Sequence, residues 1–339
     1  MSKVYRLLSP NKILLIQTAF IGDVILATAL IEKLRRRFPE VAIDFLLRKG
    51  NEGLLQNNPH LRQVLIWDKK KRKTRNLFGI LSQIRQERYD AVVNLQRFSS
   101  SGMLTALSGA KERIGFDKNP WAFGFTKKVR HEFGTDEHFI HETDRNLSLI
   151  AHLTDTQREY PKLYPSKEDF QIIPTHQNYV CIAPTSVWYT KQLPPERWLA
   201  LMAKLPLDWT IFLLGAPGDR AVCEVLLQQS VHPKVVNTAG TLSFLQSAAL
   251  MSGANMNYVN DSAPLHLASA MNAPVTAVFC STVPRFGFTP LSEKSWIVET
   301  REKLDCKPCG LHGYKACPEG HFRCANVEAE ELVKSIGEL

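Results

Sequence analysis

Short apolar runs punctuate the first half of the chain: ILLIQ at 13–17, AIDFLL at 42–47, VLIW at 64–67 and AVVNL at 91–95. Stretches with helical spacing, 24–37 and 77–88, separate several of them. Apolar runs alternating with helical segments predict βαβ units around a parallel sheet. A polar, proline-punctuated stretch, TDTQREYPKLYPSKEDFQIIPTHQN (154–178), then interrupts the pattern. It restarts with YVCIAP (179–184), TIFLLG (210–215), NYVN (257–260) and VTAVF (275–279), with helical segments near 195–204, 219–229, 243–252 and 264–271. The reading is an α/β chain of two doubly wound, Rossmann-like domains facing a cleft, residues 1–165 and 166–339. The closing VEAEELVKSIGEL predicts an amphipathic helix, and no short-period repeat is visible.

Length supports two domains, because 339 residues exceed the ~250–300 at which one core usually stops growing. No apolar run reaches the ~18 residues of a membrane span. The opening MSKVYRLLSPNK has a basic start but no apolar core or small-residue cleavage site before Lys12, so the expectation is a cytoplasmic chain. A formal charge of +9 favours an anionic partner.

Chemistry in such folds gathers where strands run into helices. The first such corner, TAFIGD, carries Gly22-Asp23 and is neither a dinucleotide nor a P-loop fingerprint, which disfavours an NAD enzyme. On the residues alone Asp23 reads first as a helix cap and second as a reactive carboxylate. The second half offers three corners. APTSVWYTK supplies Thr185, Ser186 and Lys191, a compact cation suited to phosphate. NDSAPLHLA places Asp261, Ser262, Ala263 and Pro264 at a helix start, where free N–H groups make an anion site. LLGAPGDR sets Gly215 and Gly218 before a helix, with Asp219 at its start. Each corner has a structural reading as cap, turn or solvated charge; together they suggest a nucleotide-diphosphate pocket.

Three stretches, KILLIQTAFIGDVILATALIEKLRRRFP, APTSVWYTKQLPPERW and NDSAPLHLASAMNAPVTAVF, resemble the lipopolysaccharide heptosyltransferases of glycosyltransferase family 9. The resemblance spans nearly the whole chain. It implies a GT-B architecture, with the acceptor held mainly by the first domain and ADP-heptose mainly by the second. It also implies inverting transfer of heptose to Kdo–lipid A or a heptosyl acceptor of the inner core, at the cytoplasmic face of the inner membrane. By the same resemblance Asp23 is the general base and Lys191 meets the diphosphate. Ser186 supplies a donor hydroxyl contact. Asp261 contacts the heptose, Ser262, Ala263 and His266 line the diphosphate at the helix start, and Thr241-Leu242 lies beside the adenine. Asp219 is displaced slightly from the acid that family members place after the Gly-Ala turn. His266 reads equally as a satisfied structural histidine. The alternatives are a related glycosyltransferase with another nucleotide sugar, and a non-catalytic nucleotide-sugar or glycan-binding protein.

Two features remain. The run DKKKRKTR (68–75) reads as a solvated loop, or as a contact for acceptor phosphates and an anionic membrane surface; no nucleic-acid module accompanies it. Seven cysteines are present; Cys181, Cys223 and Cys280 fall in core-like segments. Cys306, Cys309, Cys317 and Cys324 crowd into a loop before the last helix. A structural zinc or iron, reduced packed thiols and disulfides are the three readings, with metal placed first for a cytosolic chain. Relatives that modify autotransporters carry a four-cysteine iron site at longer spacing. Transfer itself needs no cofactor in this reading.

Overall fold

The computed structural model describes residues 10–70, 73–135, 137–175 and 177–337. Lys71 and Arg72 of the basic run, and the last two residues of the expected terminal helix, lie outside the described residues. The chain divides into two compact units. The first takes the described residues up to Phe133 together with Glu142–Tyr164; the second takes Gly134–His141 and the described residues from Pro165 onward.

In the first unit the strands are β1 (Lys12–Ile16), β2 (Ala42–Arg48), β3 (Leu61–Trp67), β4 (Ala91–Asn94), β5 (Glu112–Phe116) and β6 (Lys127–Val129), with helices α1 (Ile21–Arg37), α2 (Lys73–Glu87), α3 (Ser99–Ala106) and α4 (Glu142–Ser148). All pairings are parallel, in the order β3-β2-β1-β4-β5-β6. Such a sheet is covered on both faces, so its central strands read as unbroken apolar runs. Ile13 to Ile16 of β1 are fully buried, as are Val24 to Ala27 on α1. The strand ERIGF and the edge strand KKV beside it carry charge instead, and for that reason they do not stand out in the hydrophobic pattern.

The second unit repeats the plan. Its elements are α5 (Lys167–Phe170), β7 (Tyr179–Ala183), α6 (Pro195–Met202), β8 (Thr210–Leu213), α7 (Arg220–Gln229), β9 (Val235–Asn237), α8 (Phe244–Ser252), β10 (Met256–Asn260), α9 (Ala263–Ala270), β11 (Val275–Val278), β12 (Ser295–Val298) and α10 (Ala329–Gly337). The sheet order is β12-β11-β10-β7-β8-β9, again all parallel. In both units the sheet grows first to one side and then to the other, reversing between β1 and β4 and between β7 and β10. A reversal of this kind opens a crevice at the strands' C-terminal ends. The final helix packs Leu332 into the second core, and Ser335 accepts a 2.8 Å hydrogen bond from Thr276. No helix among the described residues is long and apolar enough to cross a membrane.

One buried charge secures the first sheet from the end opposite its crevice. Asp44 on β2 is fully buried. It accepts hydrogen bonds from Arg62 Nε and Gln63 Nε2, both at 2.9 Å, and from the Tyr89 hydroxyl. Arg62 also meets Glu87 at 2.7 Å, and Glu87 meets Lys12 at 2.9 Å. Lys12 and Arg62 together hold the Glu87 carboxyl down at about 2. Asp44→Ala strands the buried Tyr89 hydroxyl, whereas the Gln63 amide keeps its bond to Glu87 at 3.2 Å and the more exposed Arg62 regains water. The expected cost is about 2–3 kcal/mol in urea unfolding. A loss under about 0.5 kcal/mol, the range of an ordinary surface substitution, would show that the network contributes nothing.

Candidate active site

The crevice of the second unit is built by two neighbouring corners tied together through one side chain. Asn260, buried at the end of β10, accepts from Leu193 N at 2.9 Å and donates to Pro184 O at 2.8 Å. This links the segment after β7 to the segment after β10. The link sets the 3₁₀ turn Tyr189–Lys191 against Asp261, and Lys191 Nζ lies 2.7 Å from Asp261 Oδ2. Both side chains are nearly buried, 14% and 8% exposed. Thr282, just beyond β11, donates to the same carboxylate oxygen at 2.6 Å. A buried ion pair is weak evidence for stability, because desolvating both charges offsets their attraction. Its position at the sheet reversal favours a functional reading.

The start of α9 adds polar atoms with nothing to bind. Ser262 is the N-cap residue, yet its side chain makes no capping bond. Its Oγ and the Nδ1 of His266 are buried without hydrogen-bond partners. Buried polar atoms are nearly always paired, so two orphans one helical turn apart call for an explanation. Burial, aided by the nearby His141 and Lys191, pushes the His266 imidazole down to about 3. It is therefore neutral at physiological pH and can act as a hydrogen-bonding group, not as a cation. Among the sequence-selected residues, the structure thus brings together Lys191, Asp261, Ser262, Ala263 and His266. Thr185 and Ser186 follow β7 and are half-buried.

Two further corners interlock beside them. Gly240 N donates to Gly215 O at 2.9 Å. Gly240 has φ +75, and a Cβ there would stand 2.7 Å from Pro217 Cα, so only glycine fits. Thr241 is exposed, with its hydroxyl on Thr238 O at 2.8 Å, and Leu242 is half-buried. Asp219 serves its own turn, where its Oδ2 accepts from Ala216 N at 2.7 Å and closes the approach to α7.

At the crevice of the first unit, Asp23 is not the helix cap. Phe20 occupies that position with extended backbone and no capping bond, and Asp23 sits in the first turn of α1, three residues on. Carboxylates there are favoured by the helix dipole. Nearby strand ends carry groups that hydrophobic patterning does not reveal. Thr18 donates to Gln96 Oε1 at 2.7 Å, and Lys69 Nζ donates to Thr18 O at 2.8 Å and Oγ1 at 2.9 Å. Lys69, read from sequence as part of a solvated run, is thus turned inward.

Glu142 on α4 is buried and paired with Arg145. Arg145 Nε donates to Glu132 O at 2.7 Å, and the guanidinium stacks 4.7 Å over Phe133. Burial pushes the Glu142 carboxyl up to about 7; Arg145 opposes this and the negative charge of Asp23 adds to it. The acid–base spacing in ETDRN, three residues apart, was the one available signal for this pair.

Cys181, Cys223 and Cys280 are buried, as expected. Among the described residues no three His, Cys, Asp or Glu side chains are grouped to hold an ion. Cys309 Sγ is turned onto Cys306 O at 3.5 Å. Burial, with the neighbouring cysteines, pushes the Cys309 and Cys324 thiols up, the latter to about 11, which favours the neutral thiol. The expected zinc or iron finds no support in the grouping of these side chains, and all seven cysteines are free.

The family model "Glycosyltransferase family 9 (heptosyltransferase)" matches residues 78–315. Lipopolysaccharide heptosyltransferase 3 of Escherichia coli is 27% identical over 283 residues, 78% of this chain and 82% of the relative. The E. coli ADP-heptose LPS heptosyltransferase II structure superposes with a TM-score of 0.80 at 18% identity, covering 96% of this chain and 98% of the other. E. coli heptosyltransferase WaaC with ADP gives 0.73 at 17% identity, covering 96% and 99%. The shared architecture is that of two parallel α/β domains.

The Glu142 carboxyl generates a pH prediction. The folded unit keeps its proton up to about 7, whereas the unfolded chain releases it near the ordinary 4.5. Between those values the folded form binds the extra proton, so its contribution to stability falls as pH rises and is flat above about 7. The difference in urea midpoint between the native chain and Glu142→Gln should therefore move against the native chain from about pH 5 to about pH 7. A difference that stays constant across that range would mean that Glu142 titrates normally.

Proposed function

The chain belongs to glycosyltransferase family 9, the heptosyltransferases, and on that premise we propose that it moves heptose from ADP-heptose onto the inner core of lipopolysaccharide with inversion. The observation that carries the reading is the Lys191–Asp261 pair beside the unpartnered Ser262 Oγ and His266 Nδ1 at the start of α9. A cation and a helix N-terminus suit a diphosphate. A carboxylate and two free hydrogen-bonding atoms suit hydroxyls. The names of the relatives supply the same ligand class.

In this mechanism the acceptor hydroxyl attacks C1 of the heptose from the face opposite ADP. Asp23 takes its proton. Lys191 stabilises the charge that develops on the departing diphosphate. Ser186 and Asp261 contact the donor, Asp261 at the sugar, while Thr241 and Leu242 border the base. Asp219 supports the turn of that wall through its bond to Ala216. The first unit takes the Kdo–lipid A or heptosyl acceptor, with the exposed Lys70 and Arg75 available to acceptor phosphates or an anionic membrane surface. The protein works in the cytoplasm in this reading, at the inner face of the inner membrane.

Asp23→Ala should lower transfer by ~10²–10⁴, the usual worth of a general base, while calorimetry shows ADP binding retained. Turnover near the native rate would leave Asp23 only its place in the helix dipole. The product, read by mass spectrometry, should gain one heptose from ADP-heptose. Gain from a different nucleotide sugar would support the related-donor reading, and binding without any transfer the non-catalytic one.

Asp261 offers a separate check. Because Lys191 is paired with Asp261 before any ligand arrives, Asp261→Ala releases the ammonium. ADP should bind at least as tightly as before, while kcat with ADP-heptose falls. Weaker ADP binding in that variant would contradict the separate roles of the two side chains.

A further inference from the structure

We propose that the cysteine-rich loop, residues 306–324, is a brace that positions Lys191, and that it acts through the hydroxyl of Thr190. The inference rests on the reading of Lys191 as the diphosphate contact. Thr190 lies at the centre of the 3₁₀ turn that ends in Lys191, and it is 1% exposed. Its N–H donates to Tyr314 O at 3.1 Å. Its hydroxyl accepts from Tyr314 N at 2.8 Å and from Ser281 Oγ at 3.0 Å, and it faces Tyr314 O at 3.3 Å. A hydroxyl has one donor and two acceptor sites, so this one is saturated. The loop backbone and the turn before Lys191 are thus joined residue to residue.

The loop also lies against the lysine stem. Gly313 has φ +76, and a Cβ there would stand 2.8 Å from Thr190 Oγ1, 3.0 Å from Ser281 Oγ and 3.1 Å from Lys191 Cγ. On the other side of the turn, Tyr189 stacks on Phe322 with ring centroids 5.2 Å apart. The loop is anchored independently of the turn. Cys309 N donates to Ser281 O at 2.8 Å, and Lys307 Nζ donates to Phe279 O at 2.9 Å and pairs with Glu299 at 2.7 Å. The anchored segment, 279–282, also carries Thr282, which holds Asp261. One piece of chain therefore fixes both members of the ion pair: Lys191 through Thr190 and the loop, and Asp261 through Thr282. A lysine has a long, flexible stem, and holding its base from three sides reduces the freedom it must lose on meeting a phosphate. Thr190 is in this account a positioning residue, since it reaches the ligand only through its neighbour.

The test is a double-mutant cycle read by ADP calorimetry and by kcat and KM for ADP-heptose. Thr190→Val keeps the shape and removes the hydroxyl. In the otherwise native chain it should weaken ADP binding and lower kcat/KM on the order of tenfold, as a small displacement of a reactive group does. Thr190→Ser should restore both to near the native values. In a Lys191→Ala background Thr190→Val should have no further effect. An equal loss in both backgrounds would overturn the proposal, because Thr190 would then act on the pocket without Lys191. If Thr190→Val does not fold, Ser281→Ala removes one of the three bonds and should give a smaller loss with the same dependence on Lys191. Lys191→Ala that leaves ADP binding unchanged would overturn the diphosphate reading itself, whatever Thr190 does.

Discussion

A parallel strand can be followed by its neighbour only after a crossover, and that constraint shapes everything else in this protein. Each crossover carries the chain back beneath the sheet, so every strand ends, and the following helix starts, on the same edge. Apolar runs such as ILLI in β1 and YVCIA in β7 drive the sheets together, because helices on both faces leave these central strands no surface for water. The polar residues then have one place to gather, the edge where strands give way to helices. Asp23, Lys191, Asp261, Ser262 and Asp219 all follow strand ends for this reason.

Within the second unit the edge is held more tightly than a set of loops would be. Asn260 joins the corners after β7 and β10, Gly240 joins those after β8 and β9, and Thr282 joins the corner after β11 to Asp261. The Lys191–Asp261 pair sits at the centre of these links. In water such a pair is worth little, and buried it is costly to desolvate. The site is arranged to keep it: partners surround Asp261 on two sides, and the loop around Gly313 covers the lysine stem. A nearly buried charge held in place suits the leaving diphosphate proposed for it.

The hydrophobic pattern made the sheet cores and most of the central helices legible, since burial on both faces leaves a signal in any single sequence. The short charged edge strands, such as KKV at β6, leave none. The corner residues stood out as candidates because their types are unusual beside apolar runs, and the structure sets several of them together. Their partnerships were not legible. Nothing in the spacing of Lys191 and Asp261 announces an ion pair across seventy residues, and nothing near Thr190 points to Tyr314. Asp23 was legible as an acid at a helix start, but its place inside the first turn depends on how Phe20 enters the helix. The cysteine cluster was read from its spacing as a metal site, and no grouping of three ligands among the described residues supports that reading. Its backbone, through Gly313 and Tyr314, is the part that reaches the site.

The central claim is that Lys191 and the start of α9 receive the diphosphate of the donor. A crystal structure of the full chain with ADP bound tests it most directly. The account predicts diphosphate oxygens within hydrogen-bonding distance of Lys191 Nζ and of the backbone N–H groups at Ser262 and Ala263, with the nucleoside toward Thr241. ADP bound with its phosphates away from Lys191, and the Lys191–Asp261 pair undisturbed, would contradict it.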